Sequence, residues 1–207
     1  MQFSNIKIKH VYNVNESDNK CILRNINWII RNNFDDIEIN TGHNILNEHG
    51  NIIEFIEYDN KKKLVEKYGE LTLNRLDSVY TPLNEKDKEK IVIPKNTTNK
   101  DRFIKVPVHR FSKNYEKILL DNEEYYAIDI INIIYHFYNT KELTLSEIQK
   151  LDEDDVFDYV KNAKQLKTTN PTEKVYYINI MGDCVHFEGL ISSENTNSIE
   201  YNLMLGS

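Results

Sequence analysis

The sequence predicts an α+β fold: a mostly antiparallel sheet, a central run of helices and a C-terminal β-hairpin. Three observations lead there. Strand-like segments fill the first third of the chain and return at its end. Helical spacing concentrates between residues 121 and 163. Strands and helices come in runs rather than in a regular βαβ alternation.

Taken in order, residues 3–12 (FSNIKIKHVY) place Ile6, Ile8, His10 and Tyr12 on one face of a strand, and NESDN follows as a turn. Residues 21–34 (CILRNINWIIRNNF) put Ile22, Ile26, Ile29 and Ile30 along a helical stripe, with a strand as the alternative because β-branched residues crowd there. DDIEIN reads as a short strand. HNILNEHGNIIEFIEY reads as two strands around a turn at Glu48–Asn51, where Gly50 can take a positive φ. Residues 61–76 have helical spacing at Leu64, Val65, Tyr68 and Leu71, weakened by Gly69. VYTPLNEKDKEK is polar and reads as a linker, which divides the chain into a β-rich region (1–80) and an α+β region (81–207), or leaves one continuous domain. IVIP and FIKVPVHRF are short strands that Pro94 and Pro107 push toward sheet edges, since proline donates no ladder hydrogen bond.

The helical block follows. Asp121 is placed to cap a helix with Ala127, Ile128, Ile131, Ile134 and Tyr135 inward, ending near Tyr138 and Asn139. Thr144-Leu-Ser-Glu147 is a capping box that opens a short helix with Ile148 and Leu151 inward. The acidic run Asp152–Asp155 suits the start of a third helix, with Val156, Phe157, Val160 and Ala163 buried. The C-terminal residues 175–190, VYYINIMGDCVHFEGL, read as a hairpin turning at Gly182-Asp183. Its apolar face is Tyr176, Ile178, Ile180, Val185 and Phe187; its other face is Tyr177, Asn179, Cys184, His186 and Glu188. SIEYNLML adds a last strand through Ile199, Tyr201, Leu203 and Leu205.

Composition narrows the function classes. The 207 residues are 40% hydrophobic and 29% charged with net charge -7, a balance that buries a core rather than staying disordered. Two cysteines, Cys21 and Cys184, form neither a disulfide framework nor a metal-binding spacing, so a reducing, cytoplasmic setting is expected. No apolar run is long enough to span a bilayer, and no membrane association is expected. The chain lacks the phosphate-binding glycine patterns, HExxH and GxSxG. No metal or other cofactor is expected. Asn occurs 27 times and Ala twice, a bias that folding does not demand and that AT-rich codons explain.

The segments FYNTKELTLSEIQKLDEDDVFDYV and VYYINIMGDCVHFEGL resemble an uncharacterised group of proteins from large nucleocytoplasmic DNA viruses, the mimivirus-like giants among them. The resemblance covers about the last third of the chain. It implies a viral origin, in keeping with the codon bias, and it brings no catalytic residue with it.

Three constellations carry chemistry. Cys184, His186 and Glu188 share a strand face, so the histidine could activate the thiol and the glutamate orient the histidine. Neighbours two apart on a strand stand about 7 Å apart, however, where triad members converge from separate elements. Residues 95–117 hold five Lys and two Arg against Asp101 and Glu116, a local net of +5, with aromatics interleaved. Lys100, Arg102, Phe103, Lys105, Arg110, Phe111 and Lys113 are its candidate nucleic-acid contacts. The competing explanation is a lysine-guarded sheet edge. Residues 121–158 hold eleven acids and two Lys, a net of -9 that suits helix caps or docking to a basic partner. The leading expectation is a non-enzymatic, virus-encoded protein that binds a host or viral protein in the cytoplasm or virion. An enzyme using the Cys184/His186 thiol and a nucleic-acid binder are the alternatives.

Overall fold

Alternating apolar residues in the N-terminal and C-terminal parts of the chain meet in one large sheet. The computed structural model describes residues 21–57, 76–109, 115–151, 158–183 and 185–206. In chain order the elements are β1 (Cys21–Ile22), β2 (Ile26–Ile29), a 3-10 turn (Phe34–Asp36), β3 (Glu38–Leu46), β4 (Ile52–Glu57), β5 (Leu76–Pro82), α1 (Glu85–Lys88) and β6 (Ile91–Ile93). They continue with β7 (Asp101–Pro107), β8 (Tyr115–Leu119), β9 (Tyr125–Tyr126), α2 (Ala127–Thr140), α3 (Leu145–Gln149), α4 (Tyr159–Thr169), a 3-10 turn (Tyr177–Ile180), β10 (His186–Glu194) and β11 (Ser198–Gly206).

The sheet runs β4-β3-β2-β10-β11-β7-β8, with β1 paired to β10 and β5 paired to β3. Among the described strands only β11 and β7 run parallel. β6 and β9 form a separate two-stranded ladder. The fold class is therefore the one the sequence predicts, an α+β protein with a mostly antiparallel sheet and a C-terminal hairpin, β10–β11.

Helix α2 packs on one face of this sheet. Ala127, Ile130, Ile131, Ile134, Phe137 and Tyr138 are its buried stripe, spaced at three and four as a helix requires. They meet Ile104 and Val106 of β7, Leu190 of β10 and Leu203 of β11 in one core. Two hydrogen bonds seat the helix end: Asn139 Nδ2 donates to the Ile30 carbonyl (2.9 Å) and Tyr138 donates to the Pro107 carbonyl (2.8 Å). Helix α3 opens on the predicted capping box, with Thr144 N–H donating to Glu147 (2.8 Å) and Glu147 N–H donating to Thr144 Oγ1 (3.2 Å). Val160 and Ala163 of α4 are buried, as their spacing predicts. The turn before β4 and the positive φ at Gly50 are also as expected.

Several elements differ from expectation. Residues 21–34 are not a helix but β1, β2 and a 3-10 turn, because Ile26 and Trp28 alternate inward around the exposed Asn27. The expected linker starts inside β5, which pairs along β3, and continues into α1, where the Asn84 side chain accepts the Asp87 N–H (3.0 Å). β7 is an interior strand. Pro107 is tolerated because it ends the strand, beyond the β11 pairing that stops at Lys105. Helix α2 starts at Ala127, not near Asp121, and its first turn is held by Asp129, which accepts the Tyr126 N–H (2.9 Å).

The largest difference is at VYYINIMGDCVHFEGL. Residues 177–180 form a 3-10 turn, and the hairpin predicted at Gly182-Asp183 is absent. Asn179 accepts the Tyr176 N–H (2.8 Å) and closes the turn locally. Tyr177, Ile178 and Ile180 are all buried, which two alternating strand faces would not allow. The strand half, β10, finds its hairpin partner downstream in β11, with Glu194 opposite Ile199. The predicted strand at 3–12, the acidic run at 152–155 with Val156 and Phe157, and all of the predicted helix at 61–76 but Leu76, which opens β5, lie outside the described residues.

Strand β2 is the join between the two halves of the sheet. It pairs with β3 at Ile26 and Asn27, and with β10 at Trp28 and Ile29. Trp28, the one tryptophan of the chain, is 1% exposed and lies against Phe34, Tyr135 and Phe187. Replacing Trp28 by Ala should cost about 3–5 kcal/mol, and Trp28→Phe distinctly less. Urea unfolding followed by circular dichroism measures both.

Candidate functional site

The structure separates the residues that the sequence grouped as a thiol site. His186 and Glu188 are both exposed on β10, and no hydrogen bond joins them. Solvent, not a second layer, lies over this stretch of β10. Cys184 lies outside the described residues.

The basic segment is engaged largely within the molecule. Lys100 donates to Glu194 (2.7 Å) and to the Asn195 carbonyl (2.9 Å). Arg102 is buried, and its guanidinium donates to the carbonyls of Pro94 (2.9 Å), Glu123 (3.1 Å) and Asn122. It fastens the chain before β9 to the end of β6. On the outer face of β7 and β8, Lys105 (3.3 Å) and Lys117 (2.6 Å) share the Glu200 carboxylate of β11. Lys117 also lies over the Phe103 ring and Lys105 over the Tyr115 ring. The Lys117 hydrogen bond, helped by Lys105, holds the Glu200 carboxyl below its ordinary range. Arg110, Phe111 and Lys113 lie outside the described residues.

The acidic segment also has local work. Asp129 and Glu147 cap helices. Glu142 accepts from the buried Lys167 (2.8 Å). A cluster invisible in the sequence joins Glu116 of β8 to Tyr177 and Lys141, both of which donate to its carboxylate. Lys141 sits 5.2 Å from the ring centres of Phe137 and Tyr177. Burial, then the Glu116 carboxylate, pushes the Tyr177 hydroxyl well above its ordinary range, so it stays a donor. This cluster ties the β8 edge to the helical layer.

Two surface features remain. The first is a wing formed by β3, β4 and β5. Ile52 (61%), Ile53 (51%) and Phe55 (46%) of β4 and Tyr80 of β5 are exposed. Among the described strands β4 and β5 each pair only with β3. Between Asn32 and Glu57 the sequence has six acids and no Lys or Arg, and β5 adds Asp77. Glycine shapes the wing: a Cβ on Gly42 would strike the Ile56 carbonyl and the Phe55 ring.

The second is a cavity of about 700 Å³ where β2 and β4 meet the same edge of β3. β2 pairs with β3 at residues 38 and 39, and β4 takes over from residue 42. Asn40 and Thr41 lie in the gap between them and line the cavity. Its walls are the β1–β2 turn, Phe55 and Glu57 of β4, and the segment from Lys86 to Val92. In the β1–β2 turn Leu23 has φ +59°, a strained value for a bulky side chain. Gly189 of β10, at φ +109°, backs this turn; a Cβ there would lie 2.8 Å from the Ile22 carbonyl oxygen and 3.0 Å from Cys21 Sγ. No His, Cys, Asp and Glu grouping suited to a metal occurs among the described residues.

Comparison with protein-family models, with curated proteins and with solved structures finds no match to this chain. None of the described helices is long and apolar enough to cross a membrane.

Two variants probe this region. Gly189→Ala should lose about 1–3 kcal/mol in chemical denaturation, from the positive φ and the crowding of the β1–β2 turn. For Glu200, the folded carboxyl is depressed, so its contribution is complete above the unfolded range, near ~4.3, and is lost as the pH falls through the lower folded value. Glu200→Gln should therefore be less stable than wild type at neutral pH, and the gap should close as the solution is acidified. Thermal melts of both proteins, from neutral pH to well below ~4.3, measure it.

Proposed function

We propose that this chain is a non-enzymatic protein-binding protein whose partner docks on the β3–β4–β5 wing. The carrying observation is β4, an edge strand among the described strands, with three large apolar side chains exposed and no lysine among its residues. Edge strands are ordinarily blunted by lysine, proline or a cover, and contiguous exposed apolar groups mark contact sites. The wing's charge selects the partner's chemistry. Its strands carry Glu38, Glu54, Glu57 and Asp77 and no lysine or arginine, with Glu48 in the turn between β3 and β4, which favours a basic, apolar, extended segment. Such a segment can add to the edge by backbone hydrogen bonds while its side chains meet Ile53 and Phe55. A second copy of the same wing would bring like charges together.

The composition and the resemblance of the last third support a large DNA virus as the source, with a host or viral protein as the partner, in the cytoplasm or the virion. The thiol enzyme has less support, because His186 and Glu188 stand apart in solvent. The nucleic-acid alternative has less support because Arg102 is buried and Lys105 and Lys117 are neutralised by Glu200.

The test uses fluorescent strand-forming peptides of alternating Lys and Val, and of alternating Glu and Val, titrated with the full chain. The basic peptide should bind, more weakly as salt rises, and the acidic one should not. The triple variant Ile52→Ser, Ile53→Ser, Phe55→Ser should lose the binding with an unchanged circular dichroism spectrum. Equal binding of both peptides, or binding unaffected by the triple variant, would sink the reading. So would self-association in sedimentation that the triple variant abolishes.

A further inference from the structure

We propose that the cavity at the junction of β2, β3 and β4 binds a small organic anion: a carboxylate or phosphate carried on an apolar body. Its volume of about 700 Å³ lies inside the range of small-molecule sites, ~300–1,000 Å³. It exists because β3 serves two partner strands end to end on one edge, and the sheet parts between them. The floor is apolar and buried: Leu23, Ile26, Ile39 and Ala127. These side chains would hold the apolar body.

The polar half of the lining fits an anion. Lys86 and Lys90 stand on the wall formed by α1 and the residues after it, and neither makes an ion pair with a described residue. Lys88, on the same helix but outside the lining, is paired to Glu85 (2.7 Å). The two lysines that face the cavity are thus the ones left without a carboxylate among the described residues. Arg24 also lies on the lining but is already engaged in an interaction of its own. Of the two acids present, Asp87 already accepts from the Asn84 amide (2.6 Å), and Glu57 comes from the wing.

Asn40 stands at the gap in the sheet. It is buried on the cavity lining, and its side-chain oxygen accepts the Gly42 N–H (3.0 Å), which fixes the amide there. The Leu23 backbone, held at positive φ in the opposite wall, is strain of the kind found around ligand sites. This inference does not rest on the wing's partner, because Lys86 and Lys90 lie outside the wing.

The test titrates the full chain by calorimetry with decanoate and decyl phosphate, and with decanol and decyltrimethylammonium as neutral and cationic counterparts of the same body. All are used below their micellar concentrations. The anions should bind at one site, about tenfold or more tighter than the other two, with affinity falling as salt rises. Lys86→Gln with Lys90→Gln, both exposed, should remove that preference while weak binding of decanol persists. A double wing variant, Ile52→Ser with Ile53→Ser, which spares the cavity-lining Phe55, should leave the anion preference in place. Absence of saturable binding, equal affinity across the four probes, or a preference that survives in the double variant would each overturn the proposal. If the double variant fails to fold, the salt series on the unmodified protein decides instead, and anion affinity indifferent to salt overturns the proposal.

Discussion

The pairing of the short segment from Cys21 to Ile29 holds the described structure together. β10, β11, β7 and β8 form one continuous ladder, and β3, β4 and β5 form another. Among the described strands only β2 joins them, with two residues on each side. Four residues of ladder are a small contact for two such bodies. Trp28 compensates by inserting an indole at the join, between Phe34, Phe187 and Tyr135 of the covering helix. Large aromatic area buried at one point stands in for hydrogen bonds spread along a strand.

The same shortness of strand leaves part of one edge of β3 to β4. Because β2 is short, it leaves β3 after residue 39, and β4 uses the rest of that edge. The cavity lies in the interval, and the wing projects beyond it. Helix α2 follows β7, β10 and β11 and reaches the cavity only at Ala127. Among the described residues α2 covers apolar groups of β7 and β10, while Ile52, Ile53 and Phe55 of β4 stay exposed and Ile56 is buried. Electrostatics divides the same region in two. Among the described residues the strands of the wing carry carboxylates and no lysine or arginine, and the cavity wall carries Lys86 and Lys90. Adjacent surfaces of opposite sign attract different ligands and hold them in a fixed relation.

Legibility in the sequence followed the range of the deciding interaction. The Thr144–Glu147 capping box, the Gly50 turn and the alternation of β11 are decided within a few residues, and each reads correctly. Residues 175–190 show the converse. Tyr176 to Ile180 have the β-branched and aromatic content of a strand, but one side-chain hydrogen bond from Tyr176 N–H to Asn179 diverts the backbone into a turn. Residues 21–34 carry a helical and a strand pattern at once, and contact with Phe187, far along the chain, selects the strand. The cavity was not legible at all. Asn40, Lys86 and Leu23 belong to three segments with no shared motif, and only the parting of β3's partners brings them together.

The lysines of β7 and β8 show why charge counts along a sequence mislead. A net of +5 across residues 95–117 suggests a phosphate-binding surface. In the fold, β11 lies beside β7 in parallel register, which sets Glu200 beside Phe103 and within reach of both Lys105 and Lys117. Both lysines therefore already have a carboxylate beside them, on a residue that is 7% exposed. Lys86 and Lys90 face no such competitor among the described residues, although the sequence around them, NEKDKEK, is less basic than the segment of β7. The number of cations matters less than whether a carboxylate from another strand has already been placed beside them.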